Sequence, residues 1–282
     1  MRWKQFLTPV QSISASEARQ LLDKGSLADT CIVDVRQPGE YEKARIPGAH
    51  LIPLPALTDR VGEIDPSATV LVYCSGGVRS RIGAQILAGK GYERVFHLRG
   101  GIMAWEGQTA TGSQDSGLDL VLDLDSPEQV LARAYSLEEG MRDFYLRMQD
   151  QVGNEQVQAV FRLLAGIEIK HKDRIFAEYT RLTGKNDRGE FECSLVEPLA
   201  HDGLHTQEFV EQFMTGLDSD VEVVSMAMSI EAQAQDLYSR AAMRTSNPEN
   251  QTVLEHLAFE EKMHLARLSI VLDNLVEVEN DI

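Results

Sequence analysis

The feature that most constrains this chain is a repeat inside its second half. SLEEGMRDFY (136–145) matches SIEAQAQDLY (229–238), and LLAGIEIKHKDRI (163–175) matches HLAFEEKMHLARL (256–268), both pairs 93 residues apart. Each copy carries one Glu-x-x-His: Glu168 with His171, and Glu261 with His264. Residues three apart on a helix share a face, so each pair can reach one metal position. Each copy also has a glutamate, Glu138 or Glu231, 30 residues before the Glu of that pair and seven before a tyrosine, Tyr145 or Tyr238.

A single Glu-x-x-His reads as solvated charge on a helix surface. Two copies at matched spacing, each with its upstream glutamate, read instead as a di-iron carboxylate ligand set. It has one Glu on each of two helices and Glu-x-x-His on each of the other two. Carboxylates bridge and neutralise two divalent ions, while each imidazole supplies a terminal nitrogen. Burying four carboxylates without a cation would be very costly. Glu139 and Glu260 adjoin the expected ligands but lie about 100° round the helix and should face elsewhere.

The surrounding pattern predicts long helices. Ser126 as N-cap, Pro127 at the first helical position and Gln129 three residues after the cap mark the first start. Further helices fit 154–183, 220–245 and 250–277, with 185–219 a long connection carrying a short helix at 206–215. The expectation is a four-helix bundle with a crossover, over 127–282.

The first half reads differently. SASEARQLLDKG is a short capped helix ending at Gly25. CIVDV (31–35), HLIPL (50–54), TVLVYC (69–74) and VFHL (95–98) are compact apolar runs, as expected of buried parallel strands. RSRIGAQILAGKG is an amphipathic helix with Gly91 at its C-terminal cap. This is an α/β pattern with a parallel sheet over 1–110. GQTATGSQDSG (107–117) is small and polar, which places an interdomain linker at 111–126.

Charge follows the same division. Residues 1–110 hold 13 Lys and Arg against 11 Asp and Glu, whereas 111–282 hold 14 against 33, and the net charge is −17. A chain this acidic repels nucleic acid and anionic membranes, so neither is an expected partner. No segment offers the roughly 20 apolar residues of a membrane-spanning helix. MRWKQFLTPVQS, at the N-terminus, has no apolar stretch fit for a signal peptide. Cys31, Cys74 and Cys193 are three in number and widely spaced, which argues against a disulfide framework and for a reducing cytoplasm. With no C-x-x-C pair, a four-Cys zinc or iron site is excluded.

Cys74 ends an apolar strand and precedes a helix, with Ser75-Gly76-Gly77-Val78-Arg79-Ser80 between. Such a turn aims backbone N–H groups into the loop, and the helix dipole adds to them. A thiol at the centre is stabilised as thiolate, which is the nucleophile. Arg79 and Arg81 add positive charge. Taken alone, the loop is equally consistent with a buried cysteine beside an ordinary glycine turn. Cys31, in a core strand, is expected to be inert, and Cys193 has no assigned role.

DVRQPGEYEKARIPGAHLIPL (34–54), VYCSGGVRS (72–80) and LRGGIMAW (98–105) together resemble the single-domain rhodanese family over residues 10–107. The resemblance implies that Cys74 takes up a sulfane sulfur, such as that of thiosulfate, and passes it as a persulfide to a thiol acceptor. It implies that the backbone of Ser75, Gly76, Gly77, Val78 and Ser80, with Arg79, binds the sulfur-containing anion. Asp34, Arg36 and Glu40 match a D-x-R and a following acidic position and are read as support for the loop. Ser75 stands where many members have arginine, and Arg45 where histidine is common. A tyrosine phosphatase is the rival, but it needs five residues between Cys and Arg, and here there are four.

Residues 127–277 resemble the rubrerythrin/erythrin branch of the ferritin-like superfamily. That resemblance implies two iron ions, or other divalent metals, on Glu138, Glu168, His171, Glu231, Glu261 and His264. It also implies a homodimer through the helical domain. Peroxidase-type members have a further Glu where this chain has Ala234, and a four-Cys iron site that it lacks. An external electron donor is therefore expected. The leading expectation is a sulfurtransferase coupled to a di-iron domain of oxidase or redox-sensing type. The alternatives are a non-catalytic sulfide or peroxide sensor and an iron-handling, ferroxidase-like protein.

Overall fold

The computed structural model describes residues 9–24, 30–122, 124, 126–151, 155–193 and 219–280. The chain divides into two compact units, Met1–Gln114 with Tyr238–Arg240, and Asp115–Leu237 with Ala241–Ile282.

The first unit is built on a parallel sheet of β1 (Gln11–Ile13), β2 (Thr30–Asp34), β3 (His50–Leu51), β4 (Thr69–Tyr73) and β5 (Val95–Leu98), in the order β1-β5-β4-β2-β3. Its helices are α1 (Ala15–Lys24), α2 (Pro38–Tyr41), α3 (Leu57–Arg60) and α4 (Val78–Gly89). The unbroken apolar runs of β2 and β4 make sense because both faces are covered. Val33, Val70 and Val72 pack with Ala84 and Leu87 of α4 on one face. Ile32, Leu71 and Tyr73 pack with Ala15 and Ala18 of α1 on the other.

Three details depart from the sequence expectation. β1 was not anticipated; it has three residues, is largely exposed, and owes its place to pairing with β5. The strand expected over 50–54 stops at Leu51, because Pro53 and Pro55 have no N–H to donate and the chain turns into a 3₁₀ turn, Leu54–Ala56. β4 ends at Tyr73, so Cys74 is the first residue of the loop rather than the last of the strand. Gly91, at φ +100°, follows α4 in the left-handed conformation typical of a helix end.

Beyond β5 the chain is more ordered than a plain linker. Ala110 bridges antiparallel to Arg45, Gly112 N–H donates to the Glu42 carbonyl (2.8 Å), and α5 (Asp119–Leu122) adds a turn of helix.

The second unit contains α6 (Pro127–Gln151), α7 (Glu155–Thr183), α8 (Arg188–Cys193), α9 (Asp220–Arg244) and α10 (Pro248–Asn280). The four long helices start within two residues of where the sequence puts them. Gln129 N–H reaches Ser126 Oγ (3.4 Å), and Ser219 and Glu222 form a reciprocal cap on α9. The last helix starts two residues early because Asn247 caps it through Oδ1 to the N–H of Glu249 (2.9 Å). Met141, Phe144, Phe161, Leu164, Val223, Ala227 and Leu268 form a core to which all four long helices contribute. The short α8 was not anticipated; Phe191 anchors it, edge-on to Tyr135 at 5.1 Å and 4.4 Å from the Tyr179 ring. Gly25 and the short helix expected at 206–215 lie outside the described residues. Among the described residues, no helix is long and apolar enough to cross a membrane.

Candidate functional site

The sulfur loop is a nest of N–H groups around one thiol. Gly77 adopts φ +95°, which only glycine takes readily, and this turns the chain from β4 into α4. Its N–H donates to Cys74 Sγ at 3.1 Å, and Ser80 Oγ lies 3.7 Å from the sulfur. Burial pushes the thiol pKa up. The Ser80 N–H and hydroxyl, followed by the N–H groups of Gly77 and Gly76, outweigh burial and leave it below its ordinary value of 9.0. Cys31 is the contrast: without such donors, burial takes its thiol to about 12. Cys193 is exposed at the end of α8.

Arg79 is less available to an anion than its sequence position suggests. Both its terminal nitrogens bind Glu40, each at 2.7 Å, and Nη2 also reaches Ser75 Oγ at 3.0 Å. Ser75 Oγ donates to Glu40 Oε1 at 2.7 Å. The guanidinium holds the Glu40 carboxyl well below the usual carboxylate range. Glu40, read as indirect support, thus touches the loop itself. Val78 has 73% of its surface exposed, so its contribution to the nest is its backbone.

Asp34, the last residue of β2, pairs with Arg36 just beyond the strand. Arg36 Nε and Nη2 donate to Asp34 at 3.0 and 2.7 Å, and Nη2 donates to the Ala44 carbonyl at 2.6 Å. Arg45 is fully buried, with its guanidinium 4.5 Å from the Tyr41 ring centre and Nη1 donating to the Gly112 carbonyl at 2.6 Å. At this position the side chain is structural.

One element was quoted from the sequence without being given a role. Ile102 N–H donates to the Cys74 carbonyl (2.8 Å) and Met103 N–H to that of Ser75 (3.1 Å), so the turn after β5 supports the sulfur loop from behind. Gly101 makes this possible, since a Cβ there would fall 2.2 Å from the Cys74 oxygen. The signal was present as two successive glycines after a strand.

In the helical unit, all six expected metal ligands are buried, each 5% exposed or less. Glu138 comes from α6, Glu168 and His171 from α7, Glu231 from α9, and Glu261 and His264 from α10. His171 Nδ1 lies 2.8 Å from Glu138 and 3.0 Å from Glu168. His264 Nδ1 lies 3.4 Å from Glu261 and 3.9 Å from Glu231. The two imidazoles stack at 3.6 Å, so the halves of the repeat meet face to face. Two groups have metal-ligand proximity: Glu138, Glu168 and His171, and His171, Glu261 and His264. Glu231 sits just outside both, near His264. Glu139 is taken up by Lys172 and Glu260 by Arg174, and neither joins a ligand group.

The electrostatics of this cluster fit a pair of cations. Burial raises Glu168 and Glu261 well above the carboxylate range, and the other glutamates add to it at Glu261. Burial also lowers the histidines, but the adjoining Glu168 and Glu138 carry His171 up to about 11, while His264, beside His171, falls to about 3. Four carboxylates this close cannot all ionise without a counter-charge. Among the described residues, the buried polar atoms without a hydrogen-bond partner include His171 Nε2 and the Tyr145 hydroxyl. Burial and all four glutamates push the Tyr145 pKa far up, which places its ring beside the cluster.

Known proteins divide this chain at the same place. A rhodanese-like domain model matches residues 14–108, and a rubrerythrin model matches 129–272, about half the chain. A protein named sulfurtransferase from Allochromatium vinosum is 40% identical over 77 residues, covering 27% of this chain and 72% of that one. The thiosulfate sulfurtransferase GlpE of Coxiella burnetii is 34% identical over 101 residues, covering 36% of this chain and 92% of its own. The crystal structure of a rhodanese-like domain protein from Staphylococcus aureus is 30% identical, covering 37% of this chain and all of that one, with a TM-score of 0.34. The chain belongs to the rubrerythrin family, and it joins that di-iron type of domain to a rhodanese-like domain of the sulfurtransferase kind.

Proposed function

We propose that the α/β unit moves sulfane sulfur through a Cys74 persulfide, and that the helical unit holds two iron ions whose redox state is coupled to that chemistry. The observation that carries the first part is the ring of N–H donors that lowers the Cys74 thiol pKa despite burial. The Cys74 thiolate attacks the outer sulfur of thiosulfate. A bond forms between the two sulfurs, the sulfur–sulfur bond of thiosulfate breaks, and sulfite leaves with its electron pair. The persulfide anion keeps the negative charge, and the N–H groups of Gly76, Gly77 and Ser80 that held the thiolate are placed to hold it. An acceptor thiolate then attacks the outer sulfur and Cys74 leaves as thiolate, ready for another turn. Arg79, paired with Glu40 and bonded to Ser75 Oγ, keeps the loop in shape.

Glu138, Glu168 and His171 would hold one ion, and Glu231, Glu261 and His264 the other. The donor set suits this: four carboxylates match the charge of two divalent ions, and two imidazoles complete the coordination. Iron held there would supply one-electron redox chemistry towards oxygen, peroxide or sulfur species. Ala234, three residues after Glu231 on α9, is buried and offers no ligand atom. The absence of any C-x-x-C pair supports electron supply from a separate protein. Free Cys31, Cys74 and Cys193 suit a reducing compartment such as the cytoplasm. The helical unit is proposed to pair two copies of the chain.

The test is Cys74→Ser. Sulfur transfer from thiosulfate to a thiol acceptor is expected to vanish while metal content stays at the wild-type level. Full activity in the serine variant refutes the assignment.

A further inference from the structure

The nucleophile is buried and its surroundings are not. Cys74 is 1% exposed, whereas Val78 of the same loop is 73% exposed and Met103 83%. Among the described residues of the α/β unit, these are the only large hydrophobic side chains left exposed. Single apolar side chains scattered over a surface need no explanation. Here both stand on the two segments that form the thiol site. Met103 N–H donates to the Ser75 carbonyl at 3.1 Å, and a Cβ on Gly77, next to Val78, would lie 3.0 Å from Gly100 N. The segments therefore touch, at the carboxyl ends of β4 and β5, the end of an open parallel sheet where ligands bind.

Charge around these segments is unbalanced. Arg79 is paired with Glu40, and Arg19 with Glu106. Arg81 and Arg99 are exposed and make no ion pair among the described residues. Arg81 follows Val78 by three residues in α4, so the two share a face of the helix. Arg99 is the first residue after β5. Burial lowers the His97 imidazole, and Arg81 and then Arg99 lower it further, so both guanidiniums lie within electrostatic reach of one ring.

A small hydrophilic thiol gains little from such surroundings, because it has neither apolar area to bury nor charge to match. A protein surface with an apolar tip and acidic flanks gains from both. It takes Val78 and Met103 out of water, and its charge steers the encounter and fixes the register. We infer that Cys74 hands its sulfur to a cysteine on a separate, acidic protein, which docks on Val78 and Met103 with its carboxylates towards Arg81 and Arg99. The partner's thiolate attacks the outer sulfur of the persulfide. A new sulfur–sulfur bond forms on the partner, the bond to Cys74 breaks, and Cys74 leaves as thiolate with the electron pair, so no oxidant is consumed. The inference rests on the sulfur-transfer reading above and names its acceptor.

Full-length protein charged from thiosulfate is mixed with a synthetic peptide that carries one cysteine between leucines, flanked by aspartates. The comparisons are the same peptide flanked by lysines, and β-mercaptoethanol. Mass spectrometry follows the added sulfur. The acidic peptide should accept it with a kcat/KM about 10-fold above that of the lysine peptide, a gap that narrows with added salt. The ratio of kcat/KM for the acidic peptide to that for β-mercaptoethanol should fall about 5-fold in Met103→Gln and about 10-fold in Arg99→Glu. Met103→Leu, which keeps the apolar area, should keep the ratio, and Arg99→Gln, with a smaller fall, serves if the charge reversal prevents folding. Equal rates with the two peptides, a ratio unchanged in a folded Gln or Glu variant, or a Met103→Leu variant as impaired as Met103→Gln overturns the inference. Loss of the persulfide without added acceptor, at a rate that rises with protein concentration, identifies a second copy as the partner and overturns it too. Wild-type protein that takes no sulfur from thiosulfate refutes the sulfur-transfer reading instead. Fluorescence anisotropy with labelled peptides carrying serine for cysteine then decides the docking surface separately: tighter binding of the acidic peptide supports it, and equal binding overturns it.

Discussion

Gly101→Ala tests whether the sulfur site depends on the turn behind it. Gly101 sits at φ +59°, and an added Cβ would meet the carbonyl oxygens of Cys74 at 2.2 Å and Ser75 at 2.4 Å. Relieving those contacts takes a shift of about 1 Å, enough to weaken the bonds from Ile102 and Met103 to the same carbonyls. Alanine in the left-handed region costs about 1 kcal/mol. Two backbone hydrogen bonds cost about 1 kcal/mol each. The expected loss is therefore about 3 kcal/mol if the loop keeps its shape, or roughly 12–24 °C of melting temperature for a domain of this size. If the loop yields instead, the stability loss is smaller, and Cys74 loses N–H donors, so its pKa rises. Urea unfolding and the pH profile of Cys74 alkylation read the two outcomes side by side. Gly39→Ala, where a Cβ would meet nothing within 4 Å, is the control and should stay within about 0.5 kcal/mol of wild type. A Gly101→Ala protein with wild-type stability and a wild-type alkylation profile refutes the reasoning.

Iodoacetamide alkylation of Cys74 should show a midpoint below pH 9.0, and Ser80→Ala should move it upward. The sign follows from the lowered value: the site's contribution to stability is present above the unfolded thiol's pKa and is lost as pH falls through the folded one. Metal-free protein, in which Glu168 and Glu261 hold protons, should release protons on taking up metal and bind metal more tightly as pH rises, as a pH-indicator titration would show. Chelation should lower the melting temperature of the helical unit and leave that of the α/β unit unchanged, as calorimetry would resolve; identical transitions with and without chelator count against a metal-held core. Light scattering at micromolar concentration should give the mass of a dimer, and a monomeric mass removes the proposed pairing.

The sequence exposed what repeats and what is continuously apolar. The 93-residue spacing located all six buried side chains of the cluster, because ligands on packed helices must recur in register. The apolar runs of β2 and β4 were visible because both faces of those strands are buried. β1 was invisible for the opposite reason: Gln11 and Ser12 are exposed, and only pairing with β5 makes the segment a strand. Prolines shortened β3, an effect that the apolar letters of HLIPL concealed. The Glu40–Arg79 pair and the support from Gly101 join residues far apart in sequence, and no local pattern encodes such contacts. The unpartnered edge of His171 belongs to the same class, since it depends on what other helices fail to supply.

The halves of the repeat also impose an order of manufacture. Every residue that the sulfur loop is bonded to, from Glu40 to Met103, has been synthesised before Gln114, so the loop can form while the rest is being made. The metal cluster cannot. Glu138, Glu168 and His171 emerge first, and their counterparts Glu231, Glu261 and His264 come from the second copy. At about 5–20 residues per second, the ribosome needs roughly 8–30 s to pass from Gln114 to His264. For that interval the nascent chain carries a finished thiol site beside an unfinished acidic one. Every newborn molecule therefore completes its thiol loop before its acidic cluster.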